Sequence, residues 1–135
     1  MKLKTNISAL FFSIVLLLIG CSTDNSQKTA AREFTEKYTN QKLKRIYHGN
    51  VIDGDTILHG SDNSYYENGQ LKSIGKYVNG NAEGEFKWYH ENGQLEEIKK
   101  YVNGKEEGEF KWYHKNGQLE GIEKYVNGKA EGEFK

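Results

Sequence analysis

Two histidines of this 135-residue chain, His90 and His114, lie 24 positions apart and have a side chain that binds zinc and other transition metals. Each lies beside an Asn-Gly dipeptide. If they take equivalent places in neighbouring β-hairpins, they are two strands apart and their backbones are separated by roughly 10 Å. A shared zinc ion needs both ring nitrogens within about 2.1 Å of it. We therefore interpret both histidines as surface residues beside turns and predict no metal site.

A second candidate for chemistry is the segment Asp53-Gly54-Asp55-Thr56, which has the first oxygen ligands of a calcium-binding loop. The further ligands and the closing glutamate of such a loop are absent, so a turn is the better interpretation. No segment resembles a nucleophile with its base, a phosphate-binding loop or a supported pair of carboxylates. The sequence therefore predicts a protein that is not an enzyme and needs no cofactor.

The N-terminus has the pattern of an export signal, in which Lys2 and Lys4 precede the apolar run Ala9–Ile19. This run is too short for a comfortable membrane span. It ends in Leu18-Ile19-Gly20-Cys21, which resembles the lipobox of bacterial lipoproteins. The resemblance implies that residues 1–20 are a signal peptide and that Cys21 carries lipid, palmitate included. It implies that the protein lies on a membrane of the bacterial cell envelope but does not indicate which leaflet. An ordinary secreted protein and an uncleaved anchor are the alternatives.

Charge and cysteine usage argue against a nucleic-acid-binding protein and against a disulfide-stabilised fold. The chain has 19 basic and 19 acidic side chains, and two of the basic ones lie in the leader, so no basic excess favours nucleic acid. Cys21 is the only cysteine, so no disulfide can form within the chain. Strand pairing and side-chain packing must stabilise the fold.

A 24-residue repeat fills the C-terminal half, in the frames 60–83, 84–107 and 108–131. The last two copies are identical at 20 of 24 positions and the first two at 14. A period of this length is typical of a stacked array whose units cannot each bury an apolar face. The sequence therefore predicts a repeat domain over residues 60–135, with the last unit incomplete.

Each repeat has two turn signals. Asn92-Gly93 separates two strand-like segments and predicts a two-residue hairpin loop of type I′, because both central residues of that turn need positive φ. The second signal, at Asn103-Gly104, predicts a looser link to the next hairpin. Short links between consecutive hairpins predict an antiparallel meander. The residues expected to form the structural hairpin turns are Asn68, Gly69, Asn92, Gly93, Asn116 and Gly117.

Strand alternation predicts one aromatic side and one mostly charged side of a single-layer sheet. Pairing about Asn92-Gly93 opposes Gly84 to Tyr101 and Trp88 to Glu97, and it also opposes His90 to Leu95. It puts Leu95 and His90 with the aromatic residues and Ile98 on the other side, unless a bulge near Glu96 or Glu97 moves Ile98. The candidate binding face consists of Phe86, Trp88, Tyr101, Phe110, Trp112 and Tyr125.

The residues before the repeats are less regular. Residues 21–45 begin as a polar tether, and Phe34 and Tyr38, four apart, give a weak helical pattern. Residues 46–59 predict two short strands around Asp53-Gly54, as a degenerate opening repeat or a cap. The predicted fold is therefore all-β: an extended meander of hairpin repeats after a signal peptide and tether.

The repeat resembles the MORN-repeat variant family of bacteria through Phe86-Lys87-Trp88-Tyr89, Asn92-Gly93-Gln94-Leu95 and Tyr101-Val102-Asn103-Gly104-Lys105 with Gly108. In the first unit Asp62 and Ser64 replace Phe86 and Trp88, so a weak first strand is expected. Related bacterial chains are often classed as antitoxins of the YwqK type, and eukaryotic MORN arrays are implicated in protein and membrane binding. The resemblance implies no catalytic site.

These observations predict a membrane-anchored envelope lipoprotein whose repeat sheet binds another protein of unknown identity. The alternative is an antitoxin or immunity protein that sequesters one toxin. The stretch Gly132-Glu133-Phe134-Lys135 begins a further strand. We therefore expect residues 118–126 to lie at a sheet edge open to a partner strand or to self-association.

Overall fold

A computed structural model describes residues 30–132, which form one antiparallel sheet and no helix. The eleven strands are β1 Arg32–Lys37, β2 Leu43–Ile52, β3 Asp55–Tyr65, β4 Leu71–Val78, β5 Asn81–Ala82, β6 Gly84–Tyr89, β7 Leu95–Val102, β8 Lys105–Glu106, β9 Gly108–Tyr113, β10 Leu119–Val126 and β11 Lys129–Glu131. The order across the sheet is β1-β2-β3-β4-β6-β7-β9-β10-β11, while the short strands β5 and β8 pair with β4 and β7. The predicted all-β meander of hairpins is confirmed. The signal peptide, the lipobox and Cys21 lie outside the described residues.

The two turns of each repeat have the opposite types from those predicted. At Asn92-Gly93 the loop has three residues: Gly93 N donates to the His90 carbonyl at 2.8 Å, and His90 N donates to the Gln94 carbonyl at 2.8 Å. Only Gly93 has positive φ, at 83°, so this is a type I turn followed by a glycine bulge. The type I′ prediction for Asn92-Gly93 is therefore wrong.

The two-residue type I′ loops are the links between hairpins. Asn103 and Gly104 both have positive φ, 51° and 77°, between the paired residues Val102 and Lys105. Asn79-Gly80, Asn127-Gly128 and the earlier Asp53-Gly54 have the same signs. A type I′ turn matches the twist of the strands that flank it, so the links predicted to be loose are the tightest turns in the sheet.

Pairing between β6 and β7 has the predicted register up to Trp88, with Gly84 opposite Tyr101 and Trp88 opposite Glu97. A bulge then follows, and Tyr89 rather than His90 lies opposite Leu95. Residues that lie opposite each other in paired strands share one side of the sheet. Leu95 therefore lies on the side of Tyr89, away from Phe86, Trp88 and Tyr101. The bulge predicted near Glu96 exists, but it moves Leu95 and leaves Ile98 opposite Lys87.

The segment with the weak helical pattern is a strand. β1 pairs with β2 so that Phe34 stacks on Tyr47, with ring centroids 5.2 Å apart. The loop between them has the hydrogen bonds of the later Asn-Gly loops: Gln41 N donates to the Tyr38 carbonyl at 3.0 Å, and Lys42 N donates to Asn40 Oδ1 at 3.0 Å. Thus Tyr38-Thr39-Asn40-Gln41-Lys42-Leu43 corresponds to Tyr66-Glu67-Asn68-Gly69-Gln70-Leu71, and β1 and β2 form an opening hairpin of the same design.

The first strand of the first repeat is also longer than expected. β3 has 11 residues and pairs with β2 and β4, so the strand forms although Asp62 and Ser64 replace Phe and Trp. Polar contacts replace ring packing there: Arg45 donates to both carboxylate oxygens of Asp62 at 2.8 and 2.7 Å, and the hydroxyls of Ser64 and Ser73 are 2.6 Å apart.

The apolar core is a row of rings on one side of the sheet rather than a layer between two elements. Phe86 and Phe110 are the buried hydrophobic residues of the described chain, 7% and 1% exposed. The Phe86 ring lies directly on the backbone of Gly75, where a Cβ atom would overlap it. The second and third repeats therefore pack Phe86 and Phe110 on the preceding repeat, so we expect a single unit to depend on its neighbour for stability.

Candidate interaction surface

The six aromatic residues of the predicted binding face lie together on one side of the sheet, here called the aromatic face. Phe86 contacts Trp88 and Tyr101, with centroids 6.0 and 5.1 Å apart, and Phe110 contacts Tyr101 and Tyr125 at 6.2 and 4.3 Å. Trp88 and Trp112 both lie opposite Glu97, one on each side of it. The two phenylalanines are buried, so the tryptophan and tyrosine side chains and the polar groups between them form the accessible part of this face.

A lysine lies between the rings in the middle of the aromatic face. Lys99 Nζ is 5.7 Å from the Trp88 ring centroid and 5.3 Å from the Phe110 centroid, and it forms an ion pair with Glu97 at 2.7 Å. Such contacts of a cation with ring faces are favourable and fix its position. Neither Lys99 nor Glu97 was among the residues of the predicted binding face, although strand alternation places both with the aromatic residues.

A carboxylate takes the same place in the third repeat. Glu123 is 8% exposed and accepts a hydrogen bond from the Tyr125 hydroxyl at 2.8 Å. That hydrogen bond, together with burial, raises the pKa of Tyr125 to about 12. At this position the aromatic face therefore changes from an ammonium group at Lys99, which is paired with Glu97, to the carboxylate of Glu123 within two strands.

The face continues toward the N-terminus as an ionic cluster. Arg45 bridges Asp62 and Glu36, with shortest N–O distances of 2.7 and 3.4 Å, and its guanidinium is 4.4 Å from the Tyr47 ring centroid. The hydrogen bonds that Arg45 donates to the Asp62 carboxylate hold the pKa of Arg45 above its ordinary value. The sequence did not predict this ionic cluster because the opening hairpin was not recognised as a hairpin. Its Tyr-x-Asn motif, which lies 28 rather than 24 residues before the next copy, could have indicated it.

The repeats differ most on the aromatic face. At only two positions of the 24-residue unit do all three copies have different residues: one is Ser73, Glu97 and Gly121, and the other is Gly75, Lys99 and Glu123. Register places both positions on the aromatic face, because Glu97 lies opposite Trp88 and Lys99 opposite Phe86. The scaffold is thus repeated while the chemistry of this surface is not.

The three-residue Asn-Gly loops lie at the same end of their hairpins, and side chains connect neighbouring hairpins there. The hydroxyls of Tyr38 and Tyr66 donate to the carbonyls of Tyr65 and Tyr89 at 2.8 and 2.7 Å, and His90 Nε2 contacts the Tyr113 carbonyl at 2.8 Å. Asn92 Nδ2 donates to the Lys115 carbonyl at 2.8 Å. His90 is therefore a structural residue that joins two hairpins.

Residues 30–132 contain no group of three or more His, Cys, Asp or Glu side chains arranged to hold a metal ion. Asp53 and Gly54 have φ of 51° and 91°, as the central residues of a hairpin turn between Ile52 and Asp55. No helix in the same part of the chain is long and apolar enough to cross a bilayer.

The side away from the rings, here called the opposite face, alternates isoleucine and lysine across the strands. Ile74 lies opposite Lys87, Lys87 opposite Ile98, and Ile98 opposite Lys111. Lys87 and Lys111 pair with Glu85 and Glu109 on their own strands, at 2.7 and 3.0 Å. Ile74 and Ile122 are each 38% exposed. The second and third repeats have the same residues on this face, whereas they differ on the aromatic face at Glu97 and Gly121 and at Lys99 and Glu123.

The fold and its surfaces define a class: a single-layer antiparallel sheet built from tandem hairpins, in which the second and third repeats pack their rings on the preceding one. The family model of the MORN repeat variant matches residues 58–79, 82–103 and 106–127. The chain therefore carries three tandem repeats of the MORN-repeat variant family. A search of curated proteins finds no match to the chain. The matches begin after the opening hairpin, which is related to the repeats by its Tyr-x-Asn motif and by the hydrogen bonds of its loop.

Proposed function

We propose that the repeat sheet is a protein-binding module and that its aromatic face contacts the partner. The observation that carries this proposal is the placement of the two most variable positions of the repeat on that face, around half-buried tryptophans. A surface that binds a repeating polymer needs the same groups in each unit. Here the groups change from Gly75 to Lys99 to Glu123, which suits one partner of matching, non-repeating shape and charge.

Aromatic side chains in such a surface favour protein binding. Tryptophan and tyrosine are enriched among the residues that contribute most to protein interfaces, since they bury a large area with little loss of side-chain entropy. Trp88 and Trp112 flank Glu97, and Lys99 is already fixed by its ion pair and by the rings. A preorganised charged group loses less entropy when a partner binds than a mobile one does.

The experiment places a photo-crosslinking amino acid, p-benzoylphenylalanine, at Glu97 in the intact protein in its own cells. The matched control places it at Ile98, the next residue, which lies on the opposite face. We expect a discrete crosslinked protein from position 97 and not from position 98. Equal crosslinking from both positions, or none from position 97, would contradict the assignment of binding to the aromatic face.

We further propose that the protein is an envelope lipoprotein anchored through Cys21. Support comes from Leu18-Ile19-Gly20-Cys21 after an apolar run. Two or more acyl chains would make a stable anchor, because each buried methylene contributes about 0.8 kcal/mol. Radiolabelled palmitate should enter the wild-type chain and should not enter Cys21→Ala. A labelled Cys21→Ala protein would disprove the anchor without affecting the binding proposal.

A second candidate function is that of an antitoxin or immunity protein that sequesters one specific toxin. The same non-repeating surface supports it, because sequestration needs one high-affinity partner. The discriminating observation is the identity of the protein crosslinked from position 97. If its expression alone stops growth, and co-expression of this chain restores growth, the antitoxin function is favoured. A partner that is harmless alone would favour the envelope scaffold instead.

A further inference from the structure

The repeats contain six Asn-Gly dipeptides, and this dipeptide is prone to deamidation. Glycine has no Cβ atom that would hinder attack of its backbone nitrogen on the side-chain amide of the preceding asparagine. Three of the dipeptides lie in the three-residue loops and three in the type I′ links between hairpins: Asn68-Gly69, Asn92-Gly93 and Asn116-Gly117 in the loops, and Asn79-Gly80, Asn103-Gly104 and Asn127-Gly128 in the links. The hydrogen bonds around each dipeptide therefore decide which of the six can react.

In the links, a hydrogen bond across the sheet holds the glycine nitrogen that would have to attack. Each of these nitrogens donates to a carbonyl 22 residues earlier in the chain, at 2.8 to 2.9 Å: Gly80 to Leu58, Gly104 to Ala82 and Gly128 to Glu106. Attack requires that the nitrogen lose its proton, and this contact keeps the proton in place. The three links are therefore protected as long as the neighbouring turns stay in contact.

In the loops of the first and second repeats, a hydrogen bond to the next hairpin holds the leaving group instead. Asn68 Nδ2 donates to the Glu91 carbonyl at 3.2 Å, and Asn92 Nδ2 donates to the Lys115 carbonyl at 2.8 Å. Both acceptors belong to the loop of the following repeat. The side-chain amide must leave this contact before the glycine nitrogen can reach its carbon atom, so these two loops are protected as well.

The loop of the third repeat has its hydrogen bonds within itself. Asn116 Nδ2 donates to Gln118 Oε1 at 3.4 Å, and Gly117 N donates to the His114 carbonyl at 2.8 Å. Within residues 30–132, no hydrogen bond from another hairpin holds either of the two reacting groups. Opening this one loop therefore frees both groups without breaking a contact between hairpins, and local opening of a loop costs less than opening of the sheet.

We propose that Asn116 is a site of spontaneous deamidation in the folded protein. The Gly117 nitrogen bonds to Asn116 Cγ, the Cγ–Nδ2 bond breaks, and the amide nitrogen leaves as ammonia with the proton of the Gly117 amide. Water then opens the succinimide at either carbonyl and gives aspartate or isoaspartate. Lys115 precedes this site, whereas a glutamate precedes Asn68 and Asn92. A neighbouring positive charge favours loss of the proton from the Gly117 nitrogen.

The test incubates the full-length chain in detergent micelles at mildly alkaline pH and follows every Asn-Gly peptide by proteolysis and mass spectrometry. Lys115→Glu is the matched variant, because it makes residues 108–120 identical to residues 84–96. In this variant Asn116 should still deamidate about fivefold faster than Asn92, the factor that one hydrogen bond of about 1 kcal/mol contributes. In the wild-type chain the ratio should be larger, because Lys115 adds its charge.

Unfolding supplies the control for the role of the hydrogen bonds. In urea that unfolds the chain, Asn92 and Asn116 of the Lys115→Glu variant should react at equal rates, because the contacts between hairpins are lost. Equal rates in the folded variant, or a difference that persists in urea, would overturn the proposal. A faster reaction at Asn103 or Asn127 than at Asn116 would overturn it too, since the links would then not be protected.

Discussion

His90 Nε2 donates a hydrogen bond to the backbone carbonyl of Tyr113, 2.8 Å away, where the preceding hairpin uses the hydroxyl of Tyr66 against Tyr89. A carbonyl can only accept, so the imidazole must carry its proton on Nε2. Two different side chains therefore make the same contact between neighbouring hairpins. The repeat preserves the hydrogen bond rather than the residue that provides it.

This contact predicts unequal roles for the two related histidines. His90→Ala should lower the free energy of unfolding by about 1 kcal/mol, because the Tyr113 carbonyl loses its partner. His114→Ala should have little effect, since the His114 side chain is 53% exposed, compared with 13% for His90. His90→Tyr should restore most of the stability, as Tyr66 does in the first repeat. Thermal and urea unfolding measure all three; equal losses in both alanine variants would contradict the role of His90.

The opening hairpin carries a residue that is unfavourable in its conformation. Gln41 has φ of 66°, at the position where later repeats have glycine. Gln41→Gly should therefore raise the free energy of unfolding by about 0.5 kcal/mol, since glycine takes positive φ without the clash of a Cβ atom. The reverse change, Gly93→Gln, should lower it by about 1 kcal/mol. Urea unfolding midpoints check both, and a destabilised Gln41→Gly would show that the loop of the first hairpin differs from the later ones.

The contact of Phe86 with the backbone of Gly75 predicts a strong steric effect. Gly75→Ala should destabilise the protein by about 1–3 kcal/mol, because the methyl group would overlap the Phe86 ring. In the double variant with Phe86→Leu, the cost of Gly75→Ala should become much smaller, since the smaller side chain leaves room. Additive losses in the double-mutant cycle would mean that the two residues are not in contact.

The hydrogen bond between Tyr125 and Glu123 predicts a late phenol titration. Tyr125 should ionise with a pKa of about 12, which the absorbance difference between wild type and Tyr125→Phe measures. Its raised pKa means that the folded state keeps a proton that the unfolded chain loses near pH 10. Stability from this group is therefore present below pH 10 and lost as pH rises toward 12. Glu123→Gln should lower the pKa, and an unchanged value would contradict the assigned cause.

The sequence alone determined the repeat and its strands. The 24-residue period, the Asn-Gly dipeptides and the alternation of Phe86, Trp88 and Tyr101 depend on local rules of turn and strand geometry, and they predicted the hairpins and the register up to Trp88. Local rules did not distinguish the two turn types, since Asn-Gly is compatible with both. A bulge in β7, opposite Trp88 and Tyr89, adds one residue to that strand. His90 and Gln94 then close the loop, which leaves three loop residues, and the length of the loop decides the type of the turn.

Only the tertiary structure revealed the contacts between hairpins. Phe34 and Tyr38 match a helix by spacing, but pairing of β1 with β2 makes them a strand and a loop, because strand pairing outweighs a weak local preference. The hydrogen bonds from Arg45 to Asp62 and from His90 to Tyr113 join residues 17 and 23 positions apart. Lys99 lies between the rings of Trp88 and Phe110, which belong to different hairpins. A sequence pattern indicates the side of the sheet on which a residue lies. It does not indicate which residue of the next hairpin will contact it.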